Sequence, residues 1–496
     1  MIIHSDEGGA VAPDVILALD AGTSSAKALV YAAHSGAVLA RASMSVTLDL
    51  RGPGEVEQDA EQILEALLSA AVHAIESVPG CSLQGVALTN QRESVVAWER
   101  SSGRPLGPML SWQDSRTADV VSRWDSAARA EVKAVTGLTL DAMYSAPKMR
   151  WLLDQVAGDD AMVGTLESWL VARLTGDQVS EAGNASRTML LSLRTGDWDD
   201  ALLSAFGIPR AALPDVRPSH ASFGTIRPEF GTPFAGVPIV AVLADSHASL
   251  FAHTSAEAGI AKATLGTGSS VMTALPQLDV PREGIDTTVA WWFDEPTYAL
   301  EGNILSTGQA IDWVARLLDP DATRPGGVVV EEAAATVHGS QGVSLIPAFT
   351  GLGAPHWDRS AVALLSGMTA GTSPGHVARA ALESVAHQIA DVVDVMDVVG
   401  RANMRELRVD GGASSSALLL QVQADVLGVP VVRVREPELS AIGVARLAAI
   451  TLGHRPGLMD GATTVVPRWS GEERSQARQS WKREVHRARM RIEETG

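Results

Sequence analysis

Cysteine is almost missing from the chain. Among 496 residues there is only Cys81, so no intrachain disulfide can form and a reducing, cytoplasmic setting is expected. Basic charge is in deficit as well: 39 Lys and Arg stand against 58 Asp and Glu, a formal net charge of −19. Such a surface repels a phosphate backbone, and only about the last thirty residues collect enough Lys and Arg to reverse this locally. Nucleic-acid binding is therefore not expected. Long apolar runs are missing too. GVPIVAVLA (236–244) reaches about half of the roughly 20 residues a membrane span needs, and the opening MIIHSDEGGAVAPD lacks the basic-then-apolar pattern of a secretory signal. A soluble protein with no membrane partner is the expectation. The Walker pattern GxxxxGK[ST] is also absent, which argues against a P-loop.

What is present has ordinary globular proportions, 46% apolar and 20% charged. The length makes two domains the natural reading. Short β-rich runs (VILALD, KALVYAA and SLQGVALT, then GVSLIPAF, LRVDGG and VPVVRV) alternate with longer stretches of helical period, which predicts an α/β architecture. ILALDAGTSSAKALVY (16–31) and ATLGTGSSVMTAL (263–275) share a strand, a Gly-Thr turn with small hydroxyl residues, and a second strand. This weak repeat at a half-chain offset suggests duplicated domains, 1–250 and 251–496. No low-complexity linker separates them, so the halves are expected to pack across a cleft. EERSQARQSWKREVHRARMRIEE near the C-terminus reads as a solvated, charge-laced helix.

Three turns can meet phosphate. In DAGTSSAK (20–27), backbone N–H groups after Gly22 and the hydroxyls of Thr23, Ser24 and Ser25 can turn toward phosphate oxygens, while Asp20 can hold a metal-bound water; an ordinary hairpin would look the same. LGTGSS (265–270) offers a second such turn. VDGGASSSALLLQ (409–421) places glycines before a helix, which is either an anion or nucleotide site or a tight connection. In TNQRESVVAWE (89–99), Arg92 and Glu93 follow a strand, as a surface ion pair or as a grip on a polyol. Trp112 offers a flat face to the carbon side of a polyol, or to a core. Asp245 ends the run VPIVAVLA at the place where α/β sheets collect ligands. It can act as a base or cap the following helix, and the local residues do not choose. His247 reads as a satisfied or exposed histidine.

Taken together, these stretches resemble the FGGY carbohydrate kinases, and within them the glycerol kinases. The resemblance covers nearly the whole chain and includes GNASRTMLL, YALEGNILSTGQAIDW, PAFTGLGAPHWD and ALLSGMTAGTSPGHVARAALE. It implies two actin-like (ribonuclease H-like) domains flanking a cleft, and ATP-dependent transfer of the γ-phosphoryl group to a primary hydroxyl of a small polyol or sugar, glycerol first. Carried over residue by residue, Asp245 is the general base, and Arg92, Glu93 and Trp112 bind the polyol. Asp20 lies near Mg²⁺, with Thr23, Ser24, Ser25 and Lys27 as the first phosphate hairpin. Thr267 and Gly268 form the second hairpin, and Gly308, Gly412 and Ala413 contact the nucleotide. A homodimer or homotetramer is compatible with the resemblance.

The chain also departs from that pattern. Ser246 stands where glycerol kinases have Gln, and Met143 takes the place of a substrate-touching Tyr, leaving Tyr144 one position along. Asp312 and Ser416 replace Gln and Asn on the nucleotide side. The substrate-side changes keep open a tetritol or a ketopentose such as xylulose or ribulose as acceptor. A reading of another class is an actin-like conformational ATPase, against which Arg92, Glu93 and Asp245 weigh.

Overall fold

A computed structural model describes residues 12–490 except 157–159, 255–256, 276, 279–283, 401–403 and 458–460. Most of the N-terminal stretch read above for a signal, and the last residues of the charged C-terminal segment, lie outside the described residues.

The alternating pattern yields two α/β sheets with helices around them. The first contains β1 (Asp14–Ala21), β2 (Ser25–Ala32), β3 (Val38–Ser45), β4 (Ser82–Asn90) and β5 (Ile239–Ala244), in the order β5-β4-β1-β2-β3. β1 pairs antiparallel with β2 through the Gly22–Ser25 turn and parallel with β4, which in turn pairs parallel with β5. Both faces of β1 are covered, hence its near-continuous apolar run rather than an alternating one.

The second sheet contains β6 (Ile260–Leu265), β7 (Ser269–Leu275), β8 (Asp286–Trp292), β9 (Pro296–Ile304), β10 (Glu406–Asp410), β11 (Val431–Arg433) and β12 (Thr463–Val465), ordered β8-β9-β7-β6-β10-β11-β12. Its inner five strands, β9-β7-β6-β10-β11, repeat the order and the strand directions of the first sheet. The Gly-Thr turns of the two sequence repeats occupy equivalent hairpins. The weak similarity in the sequence is therefore a duplication of topology.

Two helices sit between the sheets. α1 (Asp245–Thr254) leaves the end of β5, and α2 (Leu439–Thr451) lies against it; their apolar faces share one cluster with Ile16, Ala87 and Leu243 of the first sheet and Met272, Ala290 and Trp291 of the second. The crossing is close because position 443 is glycine. A Cβ there would overlap the Ala248 carbonyl oxygen.

The C-terminal helix α3 (Gly471–Arg489) differs from expectation. It starts on a capping box, Ser470 with Glu473, as a solvated helix can. One stripe, however, is buried: Trp481 Nε1–H donates to Asp391 (2.7 Å), and Arg478 donates to Asp391 (2.5 Å) and Asp394 (2.9 Å). Its charges mark a docked face as well as a wet one. Among the described residues no helix is long and apolar enough to cross a membrane.

Candidate active site

Register decides what meets at the cleft. Ala21 of β1, Asn90 of β4 and Ala244 of β5 are neighbours across the parallel strands. The chain that leaves each strand end, the turn at Gly22, the segment Gln91–Ser94 and Asp245, therefore emerges at one edge of the first sheet. On the second sheet, Thr264 of β6 lies beside Asp410 of β10, and the Gly266–Gly268 turn and Gly411–Gly412 follow. The two edges face each other across a cleft of about 1080 Å³. Its walls include Thr23, Arg92, Glu93, Trp112, Met143, Asp245, Ser246, Thr267, Gly268 and Gly412.

Asp245 is the first residue of α1, with a side chain 37% exposed to the cleft. Among the described residues its carboxylate accepts one hydrogen bond, from the Ser246 N–H (2.5 Å), so it does not reach the deeper amides that an N-cap satisfies. Arg92 Nε lies 3.6 Å away. Burial raises the Asp245 pKa; Arg92 opposes this and Glu93 adds to it.

Arg92 and Glu93 are not a surface pair. Glu93 is buried and the Arg92 side chain is only 10% exposed; they lie 3.8 Å apart, and each has a better partner. Arg92 donates both terminal nitrogens to Glu301 of β9 (2.7 and 2.9 Å), while Glu93 accepts from Arg187 Nε (2.7 Å). Arg187 also pairs with Glu301 (2.8 Å), and its guanidinium stacks over the Tyr144 ring. Burial alone would raise the Glu301 pKa, but Arg187 and Arg92 override it and hold the carboxyl below the usual range. Glu93 sits at φ 61°, an unfavourable angle for a side chain of its size, which the network around it sustains. Arg187 and Glu301 escaped the residue-level reading. They lie far apart in sequence, inside the strings GNASRTMLL and YALEGNIL, and no spacing rule connects them.

Trp112 is 36% exposed, and its indole N–H donates to the Thr23 hydroxyl (3.1 Å), which itself donates to Gln91 (3.2 Å). The ring is thus held as a wall of the cleft, not as core. Met143 lines the cleft, whereas the Tyr144 hydroxyl points into the interior and donates to Asp286 (2.5 Å). Tyr144 does not take over the vacated tyrosine position. Lys148 supports this loop by donating to the carbonyls of Met143 (2.7 Å) and Ser111 (3.2 Å).

Other predicted residues stand around the cleft rather than on its wall. Asp20 and Lys27 are cross-strand neighbours at the first hairpin, with Ser24 exposed at its tip. Asp20 is 7% exposed, and its carboxylate makes no hydrogen bond or ion pair among the described residues. Burial pushes its pKa up to about 7, with Lys27 opposing. Gly308 starts the helix Gly308–Leu318 and donates its N–H to the Gly266 carbonyl (3.0 Å), where a Cβ would collide. Ala413 lies in the turn Gly412–Ser415, half-buried. The Ser416 hydroxyl accepts from Leu419 N–H (3.1 Å) as the N-cap of the helix Ala417–Leu427, and Asp312 is exposed on its helix, off the cleft wall. His247 is neither exposed nor satisfied: it is fully buried behind Asp245, and both ring nitrogens lack a partner among the described residues.

With this geometry in view, the likeness to known proteins is extensive. Residues 15–252 match the N-terminal domain, and 261–452 the C-terminal domain, of the FGGY family of carbohydrate kinases. The chain is 42% identical to a glycerol kinase of Aromatoleum aromaticum (96% of this chain, 98% of the relative). It is 39% identical to one of Deinococcus radiodurans (96% and 97%) and 38% identical to an apulose kinase of Pectobacterium atrosepticum (97% and 99%). Among solved structures, Plasmodium falciparum glycerol kinase with ADP superposes with a TM-score of 0.89 at 25% identity, covering 97% of this chain and 99% of that one. A xylulose kinase of Rhodospirillum rubrum gives 0.85 at 25%, covering 95% and 98%. The chain belongs to the FGGY family of carbohydrate kinases.

Proposed function

We propose that the protein transfers the γ-phosphoryl group of ATP to a primary hydroxyl of a small polyol, with glycerol as the first acceptor and glycerol 3-phosphate as the product. The observation that carries this reading is the position of Asp245: a strand-end carboxylate in one cleft with two Gly-Thr phosphate turns and the Arg92–Glu93 pair. The halves meet near residue 250, the first carrying the polyol side and the second the nucleotide side.

Asp245 accepts the proton of the attacking hydroxyl as the acceptor oxygen bonds to the γ-phosphorus. The bond from that phosphorus to the bridging oxygen breaks, and its electron pair leaves with ADP. A pKa raised by burial suits a base that must take up a proton near neutrality. Arg92 donates to hydroxyl oxygens, Glu93 accepts from hydroxyls, and the Trp112 ring covers the carbon side. The two hairpins and Gly412 turn backbone N–H groups toward phosphate oxygens.

Asp20 fits an outer contact to Mg²⁺, because a buried carboxylate without a protein partner suits a cation that keeps most of its waters. No group of three or more acidic, His or Cys side chains able to hold a metal occurs among the described residues. When bound, Mg²⁺ would neutralise phosphate charge.

One observation favours a second acceptor class. Ser246 and Met143 line the cleft where a long amide and a phenol would fill it, and the apulose kinase relative is nearly as similar as the glycerol kinases. A tetritol or a ketopentose such as xylulose or ribulose is the alternative. A conformational ATPase is disfavoured, since a switch protein has no acceptor for Arg92, Glu93 and Asp245 to orient. Acceptor-dependent ADP release, measured over glycerol, erythritol, threitol, xylulose, ribulose and dihydroxyacetone, tests the reading. Glycerol is expected to give the highest kcat/KM; release that ignores every acceptor would contradict the proposal.

A further inference from the structure

Lys262 is a fully buried cation of the cleft to which the mechanism above gives no role. Lys262 lies on β6, two residues before Thr264 and four before the Gly266–Gly268 turn, and it is 1% exposed although it lines the cleft. Its ammonium donates to a single group, the Thr264 hydroxyl (3.0 Å), and it forms no ion pair among the described residues. An ammonium has three donors, so two are unspent in a place where water is scarce.

Other cations nearby are in a different position. Arg92 is occupied by Glu301, and buried Lys148 spends its donors on two carbonyls. The nearest strand neighbour of Thr264, Asp410, is taken by His253 Nε2 (2.6 Å). Lys262 is thus bonded to a neutral hydroxyl and lines the same cleft as Asp245 and the second hairpin. Burial lowers its pKa, with the carboxylates of Asp410, Glu301 and Asp245 opposing, so an arriving anion would repay the cost of keeping it charged.

We propose that Lys262 is a catalytic residue whose ammonium contacts the phosphoryl group as it passes from ATP to the acceptor. The inference rests on the phosphotransfer reading of the cleft. Charge on the peripheral oxygens, and on the bridging oxygen as it leaves with ADP, is met by the two open donors, while the acceptor proton goes to Asp245.

Lys262→Met keeps the length and removes the charge. Its kcat is expected to fall about 10²- to 10³-fold, with the KM values for acceptor and ATP within about threefold. Binding of ADP with aluminium fluoride and acceptor should weaken by a similar factor while binding of ADP alone is kept. Lys262→Arg should restore part of the rate. Turnover of Lys262→Met within threefold of the parent, or an equal loss of ADP and ADP–aluminium fluoride binding, would overturn the assignment. Should the variant not fold, a crystal structure of the parent with ADP, aluminium fluoride and acceptor decides: Nζ within hydrogen-bond distance of a fluoride supports the role, and Nζ still turned only to Thr264 refutes it. Failure of the unaltered chain to phosphorylate any acceptor would sink the reading of the cleft and this inference with it. Normal transfer by Lys262→Met would sink the inference alone.

Discussion

Asp245 and Glu301 are carboxylates beside the same guanidinium, Arg92, yet their surroundings push them opposite ways. Glu301, fully buried, is held ionised by Arg92 and Arg187. Asp245 keeps one long contact to Arg92, and burial raises its pKa. The first is a fixed anchor, the second a group able to take a proton. Asp245→Asn should therefore cut kcat by roughly 10²- to 10⁴-fold while leaving ATP affinity nearly unchanged, as read by steady-state kinetics and titration calorimetry. Glu301→Gln should act on the fold instead. It removes the buried carboxylate that Arg92 and Arg187 share, and a loss of about 3–5 kcal/mol in denaturant unfolding is expected.

The pH dependence follows from the same residues. A base with a raised pKa is lost at higher pH than an ordinary carboxylate, so the acidic limb of kcat/KM should lie above the usual Asp range. For stability the sign is reversed. Asp20, raised to about 7, favours the folded state when protonated, so its contribution is complete below the unfolded-state value of 3.8 and is lost as pH rises through about 7. Asp20→Asn should flatten the fall in unfolding free energy between those limits in nucleotide-free protein. An unchanged slope in chemical denaturation would show that Asp20 is not the titrating group.

At the scale of elements, strand ends and turns were the most legible parts. β1, β2 and β4 fall on the runs VILALD, KALVYAA and SLQGVALT, because continuous apolar stretches between turn residues have few other solutions. Both Gly-Thr hairpins and the strand-turn-helix at Asp410 also occur where expected. The pairing partners were not legible. Arg187 reaches Glu93 across 94 positions, Arg92 reaches Glu301 across 209, and a local pattern carries no such separation. The docked stripe of the C-terminal helix is hidden for a related reason: Arg478 is a surface residue by type and a docked one by its Asp391 partner.

The close crossing of α1 and α2 gives an element-scale prediction with an unusual sign. Gly→Ala inside a helix normally stabilises by up to about 1 kcal/mol. At Gly443 the new methyl would meet the Ala248 carbonyl, so Gly443→Ala should instead destabilise by about 1–3 kcal/mol, measured as a lower midpoint in denaturant. Because α1 begins at Asp245, acceptor KM should shift in the same variant.

In the whole molecule two central sheets share one topology over five strands and turn their active edges toward each other, with smaller sheets beside them. The Arg92–Glu301 ion pair joins the two sides, and α1 and α2 fill the space between the sheets. Closing such a cleft on ATP and acceptor would exclude water from the transferring phosphoryl group and limit wasteful hydrolysis. The duplication was visible in the sequence only as two short turn motifs, since strand order and direction can be preserved while side chains diverge.

The central claim is that this cleft joins a phosphoryl group to a polyol hydroxyl with Asp245 as the base. The most direct test is phosphorus NMR of the full chain with ATP, Mg²⁺ and glycerol, beside Asp245→Asn. A phosphomonoester signal should grow in step with ADP in the unaltered protein and nearly vanish in the variant. Release of ADP with inorganic phosphate and no ester, from glycerol or from any of the longer acceptors, would contradict the account.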